Sequence, residues 1–189
     1  MGFTDRTEAG IRLADRLATY AADDLVVLGL PRGGVPVAAQ VARRLCAPLD
    51  IILVRKLGVP GHSELAMGAV GEDGVCTIND EIMEAARVGP DELLEVEVAE
   101  RKELERRSVL LRRHRPMVDL HDRNAIIIDD GMATGSTAIA ACQVARAHGA
   151  KHIVVGVPVA PVDAPARLKR YADEFITLET PARFEAVGA

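Results

Sequence analysis

Two acidic residues, Asp129 and Asp130, stand between an apolar run, Ala125 to Ile128, and a stretch of small residues, Gly131 to Thr137, that leads into a helix-like segment. A run this apolar suits a strand covered on both faces, so the chain leaves its sheet at the carboxyl end carrying both carboxylates. Gly131, Ala133, Gly135, Ser136 and Thr137 put little side chain in the way, so backbone N–H groups at the start of a helix can converge on a phosphate. Acids beside an anion cradle form a receptor suited to a phosphorylated sugar. Two other phosphate-loop patterns do not fit. Gly131-x-x-x-Gly135-Ser136-Thr137 lacks the lysine of a P-loop and is one residue short, and no Gly-x-Gly-x-x-Gly follows an apolar run.

A second loop, Leu30-Pro31-Arg32-Gly33-Gly34-Val35-Pro36, follows another buried run and opens another helix. Gly33 and Gly34 allow close backbone approach, and Arg32 can pair with phosphate oxygens through two parallel hydrogen bonds. Arg55 and Lys56 end a third apolar run and supply two more cations at the same edge. On the stretch after them, His62, Ser63 and Glu64 are candidates for contact with a substrate.

The elements that must carry these groups follow from periodicity. Asp5 to Ala22 has Ile11, Ala14, Leu17, Ala18 and Ala21 at helical spacing, with Thr4 or Asp5 as N-cap. Leu25 to Leu30 reads as a buried strand, Val35 to Leu45 as a helix and Leu49 to Val54 as a second buried strand, which makes a βαβ unit. Ala125 to Ile128, Ser136 to His148 and His152 to Val157 repeat it, with Gly149 as a helix stop and a last strand at Phe175 to Leu178. Alternation of this kind predicts an α/β fold, a mainly parallel sheet with helices on both faces, whose ligands gather at the carboxyl edge. Between the halves, Leu57 to Gly74 reads as a mobile loop leading into a short hairpin at Val75 to Ile78, and Pro90 to Arg115 as a helix. Arg106-Arg107 and Arg112 to Arg115 read as a solvated helix face near the negative helix end rather than as an anion patch.

Asp129 and Asp130 followed by Ala133-Thr134-Gly135-Ser136-Thr137 resemble the phosphoribosyl-pyrophosphate (PRPP) motif of type I phosphoribosyltransferases, and Arg32-Gly33-Gly34 is similar to their pyrophosphate loop. The resemblance covers roughly residues 25–160 and is nearest to a bacterial group of phosphoribosyltransferases without an assigned acceptor. It implies that Ala133, Thr134, Gly135, Ser136 and Thr137 take the 5-phosphate. Asp129 and Asp130 then meet the ribose hydroxyls and Mg²⁺, directly or through water. Arg32, Gly33 and Gly34 hold the pyrophosphate, Arg55 and Lys56 neutralise it as it leaves, and residues 57–74 close over the donor. The peptide entering Gly33, Arg32-Gly33, is expected to be cis. The implied reaction is transfer of ribose 5-phosphate to a nitrogen acceptor, a nucleobase or related small molecule. Enzymes acting on 6-oxopurines carry a third acid at the place of Ala133, so the resemblance points away from those acceptors. Residues 75–116, a hairpin and helix, are expected to form an inserted hood over the base, and Phe184 is a candidate for stacking or packing. The alternative is a non-catalytic regulatory protein that binds PRPP or a nucleotide.

Bulk properties bound the reading. The 189 residues, 49% hydrophobic with 3% aromatic and no Trp, predict a single domain, 1–189, with an aliphatic core. A net charge of −5 gives no basic footprint for nucleic acid. Cys46, Cys76 and Cys142 are odd in number and lack metal-ligand spacing, which predicts reduced thiols and a cytoplasmic setting. No apolar stretch reaches membrane-spanning length. A homodimer is compatible with the reading.

Overall fold

The computed structural model describes residues 2–22 and 24–181, so Phe184 lies outside the described residues. Five strands, β1 (Leu25–Gly29), β2 (Leu49–Ile51), β6 (Asn124–Ile128), β7 (His152–Val159) and β8 (Glu174–Glu179), form one parallel sheet in the order β2-β1-β6-β7-β8. The order reverses at β1, where the chain crosses to β2 on one side and returns on the other as β6. That reversal is where an open α/β sheet leaves a crevice at its carboxyl ends.

Alternation along the central strands divides the core between two faces. Leu25, Val27, Ile126 and Ile128 pack with Leu13 and Leu17 from the first helical region and with Val37 and Val41 of α2 (Gly34–Leu45). The intervening residues Val26, Leu28 and Ile127 pack with Ala138, Ala141 and Val144 of α5 (Ser136–Ala147). Helix α1 (Arg6–Arg16) starts at Asp5, whose carboxylate accepts the N–H groups of Thr7 and Glu8. That N-cap satisfies donors the first turn would otherwise leave bare.

The region expected as a loop is a sheet. Strands β3 (Val54–Val59) and β4 (His62–Gly71) pair antiparallel, and β5 (Cys76–Ile78) joins β4 on its other edge. Pro60-Gly61 makes the first turn, with Gly61 at φ 78°, and Asp73-Gly74 makes the second, with φ 54° and 80°. Both positive values at Asp73 and Gly74 are what a two-residue hairpin turn requires. The second parallel strand is also shorter than expected. β2 ends at Ile51, and Leu49 is exposed, so this is a partly open edge strand and Arg55 and Lys56 belong to β3 of the antiparallel sheet instead.

Two helices complete this part: α3 (Asp80–Ala86) and α4 (Pro90–Arg112). Leu104 of α4 joins Leu53, Leu57, Val59, Met67 and Val70 in a separate apolar cluster. Arg112, expected on a solvated face, is buried. Its guanidinium donates to Asp50 at 3.0 Å, to the Ile51 carbonyl at 2.7 Å and to Glu72. Three elements, α4, β2 and the β4–β5 turn, meet at this one cation. Arg112→Ala would leave two carboxylates without their counter-ion. A loss of about 3–5 kcal/mol is expected, read as a lower urea midpoint.

Candidate functional site

The carboxyl ends of β1 and β6 are adjacent, so the chains leaving them emerge side by side. Leu30 N–H donates to the Ile128 carbonyl at 2.8 Å, and Gly34 N–H turns back to the Leu30 carbonyl at 2.9 Å. The two glycines sit directly against the acidic pair. A Cβ on Gly33 would overlap the Asp130 carboxylate, and one on Gly34 would lie 2.5 Å from the Ile128 carbonyl oxygen and 2.8 Å from Asp129 Cα. Neither glycine has a positive φ, so the demand here is for close approach. The cis peptide of this loop is Pro31-Arg32, one position before the Arg32-Gly33 bond expected from the sequence.

Asp129 and Asp130 are both partly buried. Burial raises the Asp129 pKa well above the ordinary carboxylate range. A 2.9 Å hydrogen bond from the Asp130 N–H opposes the shift, while the neighbouring Asp130 charge adds to it. Asp130 is held by Arg6, whose Nε and Nη2 donate to one carboxylate oxygen at 2.9 and 2.7 Å. Sequence reasoning passed over Arg6. The available signal was its position, since a cation in the first turn of a helix opposes the helix dipole and needs a partner elsewhere.

The loop after Asp130 is anchored at both ends. Met132 N–H donates to the Val159 carbonyl at 2.9 Å, and Ile139 N–H to the Gly135 carbonyl at 2.8 Å. Gly135 is the N-cap of α5 with φ 81°, a conformation open to glycine. Ser136 N–H reaches Thr134 Oγ1 at 3.4 Å, and the Thr134 and Ser136 hydroxyls are 3.1 Å apart. Ala133, Thr134 and Thr137 are exposed. A second overlooked residue shapes the loop from outside. Arg167, at the end of α6 (Ala164–Leu168), donates to the carbonyls of Ala133 and Thr134 at 3.2 and 3.1 Å while Asp163 holds it at 2.6 Å.

A cavity of about 920 Å³ lies between this edge and α4, lined by Arg32, Gly33, Arg55, Lys56, Asp129, Asp130 and Thr137, among others. The structure therefore brings the two loops and the Arg55-Lys56 pair to one space. Both cations are already engaged: Arg55 with Glu100 of α4 at 2.6 Å, Lys56 with Glu64 at 3.0 Å. Of the three polar candidates on β4, Ser63 lines the cavity, Glu64 pairs with Lys56, and His62 lines a neighbouring apolar groove. Arg106 and Arg107 also line the cavity rather than a purely solvated face.

Among the described residues no group of three or more His, Cys, Asp or Glu could hold a metal ion, and no helix is long and apolar enough to cross a membrane. The chain is similar to a Thermus thermophilus protein of known structure, TT1426. They share 43% identity and a TM-score of 0.91, with all of this chain and 89% of that one aligned. A purine phosphoribosyltransferase from Pyrococcus horikoshii shares the fold at a TM-score of 0.51 and 18% identity, over 94% of this chain and 84% of that one. Two Mycobacterium tuberculosis proteins, from strains CDC 1551 and H37Rv, carry the name "Putative phosphoribosyl transferase" and are each 54% identical over 98% of this chain. The chain spans only 42% of their length. The family model for the phosphoribosyl transferase domain matches residues 6–186, and the chain belongs to that family.

Proposed function

We propose that the protein transfers ribose 5-phosphate from Mg-PRPP to a nitrogen acceptor and releases pyrophosphate. The contact between Gly33-Gly34 and Asp129-Asp130 carries this reading. A glycine loop suited to an anion lies against a carboxylate pair, and a second loop of small residues follows directly in the chain. A ligand with a phosphate at each end and a polyol between them fits that order. Family membership supports the transferase class, and the site geometry supports the donor.

The 5-phosphate would rest on the loop from Ala133 to Thr137, at the amino end of α5, and the ribose hydroxyls would donate to Asp129 and Asp130. Arg32, with Gly33 and Gly34 giving backbone access, would take the pyrophosphate, joined by Arg55 and Lys56 once Glu100 and Glu64 release them. In the transfer, the bond from the anomeric carbon to pyrophosphate oxygen breaks and its electron pair leaves with the pyrophosphate. The acceptor nitrogen supplies the pair for the new carbon–nitrogen bond and afterwards loses a proton. The ring develops positive charge in between, and carboxylates at the hydroxyls stabilise it, while the cations stabilise the departing charge.

Two carboxylates offer hard oxygen donors suited to Mg²⁺, but too few for a site built from protein alone. The ion would be held largely by the donor's oxygens and water, with Asp129 and Asp130 as the protein's contribution. Bound there, it would neutralise phosphate charge.

Calorimetric titration with PRPP, with and without Mg²⁺, followed by pyrophosphate release across a panel of bases and amines, tests the proposal. Asp130→Asn is expected to weaken PRPP binding about tenfold or more, through loss of a charged hydrogen-bond partner. Unchanged affinity and turnover in that variant would remove the carboxylates from the site.

A further inference from the structure

The cavity holds cations beyond those assigned to the donor. Arg106 and Arg107 line it from α4, and one carboxylate serves both. Glu103, which is not part of the lining, accepts from Arg106 Nε and Nη2 at 2.7 and 2.9 Å and from Arg107 Nε at 2.8 Å. Among the described residues, Arg106 Nη1 and both terminal nitrogens of Arg107 have no acceptor. The pair therefore presents one excess positive charge and a set of open planar donors.

The rest of the lining narrows what would use them. No aromatic ring among the described residues lines the cavity, and its neutral polar side chains are Ser63 and Thr137 alone. Glu100 is occupied by Arg55. Beside the arginines stand Leu104, Leu110 and Leu111. A neutral heterocycle would find no stacking ring and few matched hydrogen bonds. An oxyanion would find guanidinium donors whose geometry matches a carboxylate or phosphate.

We propose that the acceptor carries an oxyanion, carboxylate or phosphate, on a small apolar frame, and that Arg106 and Arg107 bind it. The word acceptor rests on the phosphoribosyl reading; the anion preference of the α4 wall does not. The oxyanion takes no part in bond making. It takes the open guanidinium nitrogens and so fixes where the acceptor nitrogen points. Glu103 neutralises one of the two charges and so weakens the pull of the pair on an anionic ligand.

Paired probes test this on the full chain. Pyridine-3-carboxylate against pyridine-3-carboxamide, and phenyl phosphate against phenol, are titrated calorimetrically with and without saturating Mg-PRPP. Each anionic probe is expected to bind at least about tenfold more tightly than its neutral partner, the larger ratio showing which oxyanion is preferred. Arg106→Gln/Arg107→Gln should reduce the ratio below about threefold while Mg-PRPP affinity stays within about twofold. Glu103→Gln should tighten anionic probes severalfold and leave neutral ones unchanged. Equal binding of charged and neutral probes to the unaltered protein overturns the inference. So does a double variant that weakens Mg-PRPP as much as it weakens the probes, since the arginines would then serve the donor. If PRPP fails to bind but the anion preference persists and depends on Arg106 and Arg107, the phosphoribosyl reading falls and the anion site stands.

Discussion

Asp129→Asn is expected to make the ligand-free protein more stable and, on the proposed function, to weaken Mg-PRPP binding about 10- to 100-fold. The carboxylate is partly buried beside a second acid, and its pKa is raised chiefly by that burial. A raised folded-state pKa means that the native protein holds a proton the unfolded chain has already lost. Stability therefore falls as pH climbs from the ordinary carboxylate range, near 4, toward the raised folded value. Asparagine has no such penalty, and its side-chain oxygen can still accept the Asp130 N–H. At about 1.4 kcal/mol per pKa unit, relief of about 1–3 kcal/mol is expected at neutral pH. Each kcal/mol should appear as roughly 2–4 °C in Tm. The advantage should shrink as pH falls toward 4, which scanning calorimetry across pH 5 to 8 would show. Affinity should move oppositely. Loss of a charged acceptor for a ribose hydroxyl is worth about 1.5–3 kcal/mol, or about 10- to 100-fold in Kd. A variant that is neither more stable nor weaker in binding would contradict both halves.

Gly33→Ala and Gly34→Ala should separate binding from folding although the positions are adjacent. At Gly33 the obstacle is the carboxylate end of Asp130, which can swing aside if it gives up Arg6. Gly33 has φ −65°, which alanine adopts without strain, so stability should change by less than about 1 kcal/mol. PRPP affinity should fall tenfold or more as the displaced carboxylate leaves the sugar. At Gly34 the obstacles are the Ile128 carbonyl and the Asp129 backbone, and neither can rotate away. Strand β6 would have to shift, at a cost of about 1–3 kcal/mol or more. Urea denaturation beside PRPP titration reads both effects; similar stability losses in the two variants would contradict the distinction.

How much of this was legible in the sequence differs by element. The parallel sheet was, because short runs such as Ala125 to Ile128 are apolar throughout and alternate along the chain with helix-like segments. The places of both loops were, because each follows an apolar run and opens a helix-like segment. The β3–β4 hairpin is not legible as strands. Gly58, Gly61, Gly68 and Gly71 lie within residues 57–74, and glycine density reads as loop; here Gly68 and Gly71 bring β4 close to Thr77 and Val144, while Gly61 makes a turn. Pro60-Gly61 was the turn signal that could have divided the stretch into strands. The cations were least legible. Arg112 and its neighbours look alike along a helix, and which one is buried depends on Asp50 and Glu72, which lie 62 and 40 positions away. Arg6 and Arg167 likewise act on residues 124 and 33–34 positions distant. Local pattern carries no record of such partners.

The pairing of β1 with β6 also governs when the site can exist. Val26 pairs with Ala125 and Gly29 with Ile128, partners 99 positions apart in the chain. No short turn can bring parallel strands together, so this pairing closes a loop of chain that contains everything from α2 through α4. Contacts of this span are slow to form, because the entropy of closing the chain is lost before the pairing is gained. During synthesis the first loop emerges long before its counterpart and waits without one. A ligand that bridges both loops would then act on the most non-local contact in the sheet and hold it shut. At a hundredfold excess over its Kd such a ligand would add about 2.7 kcal/mol to folding stability. If the proposed donor is that ligand, its concentration would shift the folding equilibrium toward the form in which the two loops are joined.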